Sequence, residues 1–453
     1  MSGLRRVLIA NRGEIALRII RACHEVGIEA VAVYSDADKE SRWVQLADAA
    51  FHIGGSSAVK SYLNIDAILE AARASEADAV HPGYGFLSER AEFAARVVEA
   101  GLVFVGAPAG VIDSMGNKDM ARRTAEQAGV PVVPGSGPVA DAEEALRAAR
   151  DIGYPLLVKA SAGGGGRGIR PVDNSDQLAD VLLAAKAEAR SAFGDDTVYL
   201  ERAVPQARHI EVQIIADDHG NVVHAFERDC SVQRRRQKLL EEAPAYGLEA
   251  TTREDITAAA VRLAQKVAYR GAGTVEFLLD ELGRFYFMEM NTRIQVEHPI
   301  SEVITGIDLV AEQLRVAGGS SVSVHQQDIA IGGAAVELRI NAEDPDNNFQ
   351  PCPGQLTRFD LPGGPGVRVD TGFVQGDVIS PFYDSLIGKL ICWGADREQA
   401  LARACQALAE FRIEGVRSTV PLHQRLLGDA ELRSGPVHTR WLEAKLDAGE
   451  GGV

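Results

Sequence analysis

From Arg6 to Ala10 the chain reads Arg-Val-Leu-Ile-Ala, a continuous apolar run of the kind that fills a strand buried on both faces. Asn11 to Glu14 follows as a turn, Ile15 to Val26 carries apolar residues at helical spacing, and Ala30 to Tyr34 is a second apolar run. Strand alternating with helix predicts a parallel sheet. The rhythm continues through Ala79-Val80-His81 and Val103-Phe104-Val105-Gly106, closing a first α/β unit near residue 115. A dense group of breakers, Pro131, Pro134, Gly135, Gly137 and Pro138, precedes a helical stretch from Asp141 to Asp151 and a strand ending at Lys159. This pattern predicts a small inserted domain. Beyond Gly318 and Gly319, a Ser/Val/Gln stretch leads to strand-like Ala335 to Ile340, and Gly/Pro punctuation from Pro351 to Gly388 predicts a β-rich segment.

Length changes this picture only by dividing it: 453 residues at roughly 150 per domain suggest about three. The net charge of -17 argues against nucleic acid, whose phosphates need an excess of Lys and Arg, so a local basic cluster should serve a local anion. The first ten residues hold too short an apolar run for a signal peptide, and no later run approaches the ~18 residues of a membrane span. The five cysteines are far apart, odd in number and free of Cys-x-x-Cys spacing, which predicts neither a disulfide framework nor structural zinc and fits a reducing cytoplasm.

The first unit imitates a dinucleotide fold, with Asp36 after its second strand. Between strand and helix it offers one glycine, Gly13, where that fingerprint needs three to bring backbone against a pyrophosphate.

Candidate chemistry begins at Leu156-Leu157-Val158-Lys159, a strand that runs into the glycine-rich stretch Gly163 to Gly168. Glycines let backbone N–H groups converge on an anion, and Lys159 beside them would neutralise phosphate oxygens. No Gly-Lys-Ser/Thr follows, so the residues alone leave a phosphate loop and a flexible linker both open. Lys118, just ahead of the inserted domain, is a second cation within reach of the same nucleotide.

The strongest constellation is a pair of strands, Gly273 to Leu279 and Arg284 to Asn291, joined by a short turn containing Gly283. Folding about residue 282 sets Glu276 across from Glu289 to within a residue or two, and Glu289 shares a face with Asn291. Two carboxylates among apolar strand residues are costly to bury without a cation, and Mg²⁺ accepts this hard-oxygen set. Next, Arg293, Gln295 and Glu297 alternate with Thr292, Ile294 and Val296, so an extended segment projects a cation, an amide and a carboxylate to one side. That set suits a small oxyanion acid: Arg293 to hold it, Gln295 to add a hydrogen bond and Glu297 to act as general base. A structural salt-bridge cluster is the alternative. Arg234-Arg235-Arg236-Gln237-Lys238 is the dense basic run, followed by Glu241-Glu242, and Lys238 is a candidate clamp for transferring phosphate.

These residues resemble the ATP-grasp superfamily and, within it, the biotin carboxylase family. The resemblance runs from Val7 to about Leu446 through Ala10-Asn11-Arg12-Gly13-Glu14-Ile15-Ala16, His81 to Glu89, Glu227 to Ser231, Glu289 to Pro299, Arg339 to Pro345 and Tyr383 to Leu390. It implies an α/β (α+β) ATP-grasp fold: a Rossmann-like domain over residues 1–116, an ATP-grasp domain over 117–318 with a mobile lid at 131–204, and a β-rich C-terminal domain over 335–446. It implies that Lys118, Lys159, Gly165, Gly166, Glu201, Val204, His209 and Arg236 serve ATP, while Glu276, Glu289 and Asn291 hold Mg²⁺ or Mn²⁺. Bicarbonate would lie against Lys238, Arg293, Gln295 and the Val296 backbone, deprotonated by Glu297 to attack the γ-phosphate. Carboxyphosphate would then yield CO₂ and phosphate, phosphate would take the biotin ureido proton, and Arg339 would stabilise the enolate-like oxygen. One departure stands out: position 236 is Arg here, where well-known members carry His or a smaller side chain.

No methionine sits in an Ala-Met-Lys-Met context, so no carrier domain is expected within these residues, nor room for a carboxyltransferase. The resemblance thus implies a homodimeric cytoplasmic subunit that works with a biotin carboxyl carrier protein and a separate carboxyltransferase. Its reaction would be the first half-reaction of an acetyl-CoA or acyl-CoA carboxylase complex.

Overall fold

Arg6–Ile9 is the central strand of a five-stranded parallel sheet in a computed structural model that describes residues 3–161 and 168–449. Leu8 faces one hydrophobic core while Val7 and Ile9 face another, which is why the strand reads as an unbroken apolar run. Glu29–Tyr34 and Ala79–His81 flank it, and Ala49–His52 and Val103–Phe104 form the edges. The predicted helix spans Gly13–Glu25, two residues longer at its start than its apolar spacing indicates. Gly13 enters it at φ 68, a left-handed angle that a side chain would strain.

The segment after the breaker cluster is a four-stranded sheet ordered Gly135–Pro138, Val198–Arg202, Leu156–Ala160, Ile169–Val172. Helices Ala142–Ile152 and Ser175–Phe193 pack on it around a separate core that includes Leu156, Val158, Leu178, Leu182 and Leu200.

An antiparallel sheet of eight strands forms the largest layer, and among the described residues three two-stranded pairs lie in the C-terminal segment. Its order is Phe285–Asn291, Gly271–Leu279, Arg208–Ala216, Val222–Arg234, Gln237–Ala243, Ala334–Asn341, Leu386–Gly394, Val367–Thr371. Leu240 pairs with Leu338 and Ala243 with Ala335, so central and C-terminal segments share one continuous sheet. One face of the C-terminal half, with Val336, Leu338, Leu390 and Cys392, packs with Leu401, Ala404 and Leu408 of helix Arg397–Glu410. The other face turns Glu241, Glu337, Arg339 and Lys389 toward helix His298–Thr305. Alternation along a strand thus delivers apolar residues to a core and charged ones to a buried cleft. Among the described residues no helix is long and apolar enough to cross a membrane, and the five cysteines are unbridged.

Candidate active site

Glu276 sits directly opposite Glu289 in the hairpin Gly271–Leu279/Phe285–Asn291, and Thr274 opposite Asn291, so both carboxylates share a face with Asn291. The turn between the strands is fixed by Asp280, whose Oδ1 accepts from the backbone of Leu282 and Arg284, with Gly283 at φ 76. Glu276 is buried and Glu289 exposed at the cleft rim. The carboxylate of Glu276 raises the pKa of Glu289, the signature of two like charges facing one space. A divalent cation fits that donor set. Asn291 Nδ2 donates to Glu276 Oε1 at 2.7 Å, and its Oδ1 accepts from Arg293 at 2.9 Å. A half-turn of that amide would present its oxygen to the carboxylates.

Lys238, on strand Gln237–Ala243, points into the same face. Its Nζ donates to Glu211 Oε2 at 2.6 Å, Glu297 Oε1 at 2.6 Å and Glu276 Oε1 at 3.2 Å. Three acceptors match the three protons of an ammonium group. Arg339 reaches Glu297 from the other side: its Nε donates to Glu241 Oε1 at 2.6 Å and its Nη2 to Glu297 Oε2 at 2.9 Å. Glu297 therefore bridges two cations through separate oxygens. Burial opposes its charge, but Lys238, Arg339 and Arg228 win and hold it well below the ordinary carboxyl range. Burial pushes Glu241 up to about 7 against the pull of Arg339.

Residues 292–297 do not form the extended segment that alternation predicts. Glu297 is the N-cap residue of helix His298–Thr305, at φ -80 and ψ 7, and Ile294 is buried in the core beneath the parallel sheet. The bent path still gathers the three polar side chains. Arg293 Nε donates to Glu89 Oε2 at 2.9 Å, and Gln295 Nε2 donates to Glu276 Oε1 at 2.7 Å. The Val296 carbonyl accepts from Lys389 Nζ at 2.8 Å, which pins the backbone between Gln295 and Glu297.

The remaining predicted residues lie toward the inserted domain. Lys159 donates from Nζ to Glu201 Oε1 across neighbouring strands. Lys118 opens helix Lys118–Gln127; burial and the like charges of Lys159 and Arg236 lower its pKa, while Glu289 and Glu201 oppose the fall. Val204 is half-buried in the connection from Val198–Arg202 to Arg208–Ala216, the strand that carries His209. His209 Nε2 is 3.0 Å from Glu276 Oε2 and 3.6 Å from Glu211 Oε2. Its burial works against protonation, but Glu276 carries the pKa upward. Gly165 and Gly166 lie outside the described residues.

Arg236 is exposed, in the two-residue turn that joins Val222–Arg234 to Gln237–Ala243. Arg235 and Arg236 have φ 48 and 66, the left-handed pair that such a turn demands and that Asn-Gly usually supplies. The C-terminal segment holds this strained turn: Glu443 Oε1 accepts from the Arg235 N–H at 2.7 Å, and the Arg234 guanidinium stacks 4.3 Å from the Phe349 ring. The basic run thus turns Lys238 into the cleft while Arg235 and Arg236 stay exposed at the held turn.

Reasoning from local pattern does not reach the residues beneath these groups. Arg228 is fully buried and donates to Glu211 Oε1 at 2.6 Å, Gln213 Oε1 at 2.8 Å, Ser301 Oγ at 3.0 Å, Thr274 Oγ1 at 3.2 Å and Gln295 Oε1 at 2.7 Å. It orients Gln295 and neutralises Glu211 at once. A charge flanked by apolar residues within a strand, such as Glu211 between Ile210 and Val212, is the available signal, since an unpaired ion cannot be buried there.

Three family models cover nearly the whole chain: the biotin carboxylase N-terminal domain at residues 3–112, the carbamoyl-phosphate synthase L chain ATP-binding domain at 117–325, and the biotin carboxylase C-terminal domain at 337–444. Biotin carboxylase 1 of Bacillus subtilis is 51% identical over 442 residues, 97% of this chain and 98% of that one. A pyruvate carboxylase subunit of Methanothermobacter thermautotrophicus is 50% identical over 439 residues, 97% of this chain and 89% of that one. The biotin carboxylase domain dimer of Hydrogenobacter thermophilus 2-oxoglutarate carboxylase, solved with MgADP, ADP and bicarbonate, superposes with a TM-score of 0.92 at 47% identity, covering 98% of each chain. With an ATP-grasp cleft of this geometry and relatives matched along their full length, the chain belongs to the biotin carboxylase family and carries its ligase activity.

Proposed function

We propose that the chain carboxylates biotin on a carrier protein with bicarbonate and ATP by way of carboxyphosphate. The observation that carries this reading is Glu297, a base bridged by Lys238 and Arg339 beside Arg293 and Gln295. Lys118, Lys159, Gly165, Gly166, Glu201, Val204, His209 and Arg236 bind the nucleotide, with residues 131–204 acting as a lid. Glu276, Glu289 and Asn291 would hold Mg²⁺ or Mn²⁺, which supplies positive charge against phosphate oxygens.

Bicarbonate binds against Lys238, Arg293, Gln295 and the Val296 backbone. Its arrival divides the attention of Lys238 and Arg339 between two anions, so Glu297 loses part of the field that keeps it weakly basic. Glu297 then takes the bicarbonate proton as the oxygen attacks the γ-phosphorus and ADP departs. Carboxyphosphate breaks into CO₂ and phosphate, phosphate removes the ureido N–H proton, and the nitrogen attacks CO₂. Arg339 stabilises the oxygen that gains charge, where a fixed and permanently charged donor in a dry site counts most.

Glu297→Gln should cut bicarbonate-dependent ATP cleavage by about 10²–10⁴-fold, the usual contribution of a positioned base. Nucleotide affinity by calorimetry should stay near wild type, and a parallel loss of both would reassign Glu297 to structure.

We assign the product to an acyl-CoA carboxylase, with a separate carrier protein and carboxyltransferase and a homodimeric carboxylase component. The near-equal identities to Bacillus subtilis biotin carboxylase 1 and to the pyruvate carboxylase relative, 51% and 50%, also favour a second reading in which a keto acid receives the carboxyl group. Purifying the native complex and identifying its carboxyltransferase separates the two.

A further inference from the structure

Glu337 stands on strand Ala334–Asn341, two residues before Arg339 and on the same face, and touches none of the groups assigned to the reaction through a hydrogen bond. Its side chain is fully buried, and among the described residues neither carboxyl oxygen has a hydrogen-bond partner. Directly across the strand pair is Glu241, whose Oε1 accepts from Arg339 and whose Oε2 is also buried without a partner among the described residues. On the far side Ala243, Ala335, Ile391, Ile300 and Ile304 close an apolar cluster. The neighbouring cation, Lys389, is committed elsewhere: its Nζ donates to the Val296 carbonyl and lies 3.1 Å from Glu14 Oε1. An ionised carboxylate cannot stay in such a place, buried, unbonded and facing a second carboxyl.

We propose that Glu337 is a positioning residue for the biotin step, a neutral carboxylic acid that stands opposite Glu241 behind Arg339. By staying uncharged it leaves the field of the guanidinium at the biotin oxygen undiminished by a further carboxylate. This role depends on Arg339 acting as the cation of the biotin step. Were Glu337 ionised, Arg339 would face a third carboxylate besides Glu241 and Glu297, and its attraction for a developing oxyanion would fall. Burial raises Glu337 well above the ordinary carboxyl range; Lys389 and Arg339 oppose the rise, while Glu241 and Glu297 add to it. The other charged or titratable groups on this face are Arg228, Cys230 and Lys238 on neighbouring strands, Arg368 and Asp370 on the edge strand Val367–Thr371, and His298 and Glu302 on the covering helix. His298 is held neutral by burial, and Glu302 is paired with Arg18 and Arg368.

Raising the pH strips the proton from Glu337 and weakens Arg339, so biotin carboxylation should fall on the alkaline side before bicarbonate-dependent ATP cleavage does. Glu337→Gln, which keeps shape and cannot ionise, should move the alkaline midpoint of the biotin-dependent rate upward by about one pH unit or more relative to ATP cleavage in the same variant. Infrared difference spectra of wild type against Glu337→Gln at neutral pH should contain the carbonyl stretch of one protonated carboxylic acid. Absence of that band in wild type, or an unmoved alkaline midpoint, overturns the proposal. If Glu337→Gln does not fold, Glu337→Met is the second neutral replacement, with the same expectations. Arg339→Ala separates the layers: if it spares biotin carboxylation, the reading of Arg339 is wrong, whereas a missing band with a dead Arg339→Ala defeats the inference about Glu337 alone.

Discussion

Arg339→Ala should lower biotin carboxylation by about 10²–10³-fold, the usual cost of removing one donor from a site that stabilises a developing oxyanion. ATP affinity should change little, because Arg339 contacts Glu241 and Glu297 and stands apart from Lys118, Lys159 and Glu201. The substitution also removes one of the three cations that hold Glu297 ionised, so the proton affinity of Glu297 rises and bicarbonate-dependent ATP cleavage becomes more acid-sensitive. Arg339→Lys should recover part of the activity, since an ammonium restores charge without the fork that meets two carboxylates at once. Calorimetric ATP binding beside a biotin assay checks this directly. Equal loss of both in a folded variant would make Arg339 a nucleotide-facing or structural residue.

Lys238→Met should have the largest effect on stability. It strips Glu211, Glu276 and Glu297 of a shared cation in a closed cleft, and breaking a buried ion pair from one side typically costs about 3–5 kcal/mol. Glu276 and Glu297 are held below the ordinary carboxyl range, against burial, with Lys238 the largest favourable influence on each. Their contribution to stability is therefore present above the unfolded carboxyl range and is lost as pH falls toward their depressed folded values. In the variant the largest part of that contribution is gone, so the gap from wild type in urea midpoint should be widest near neutral pH and should narrow as pH falls into the carboxyl range. A gap independent of pH would mean that Lys238 contributes by packing alone. Bicarbonate-dependent ATP cleavage should vanish with the same substitution.

Much of this site is legible in the chain because a hairpin and a period of two are enough to set Glu276 opposite Glu289 and Asn291 on their face. The parallel sheet is legible for a similar reason, as its strands are buried on both sides and read as apolar runs. What local pattern cannot supply is long-range pairing. Lys238 meets Glu211 and Glu276 only because neighbouring strands lie side by side, and Arg339 meets Glu297 only because Ala334–Asn341 joins the same sheet. Alternation makes residues 292–297 read as extended, whereas the helix that begins at His298 bends the chain at Glu297. The edge strand Ala49–His52 also escapes a reading of pattern, its Ala-Ala-Phe-His sequence giving neither a run nor an alternation.

The most direct test supplies the protein with ATP, Mg²⁺, free biotin and radiolabelled bicarbonate, and follows acid-labile label on biotin together with ADP. ADP formation should require bicarbonate, rise with biotin and track labelled carboxybiotin. ATP cleavage that ignores bicarbonate and biotin, yet responds to an amine or amino acid, would contradict the assignment of this cleft to biotin carboxylation.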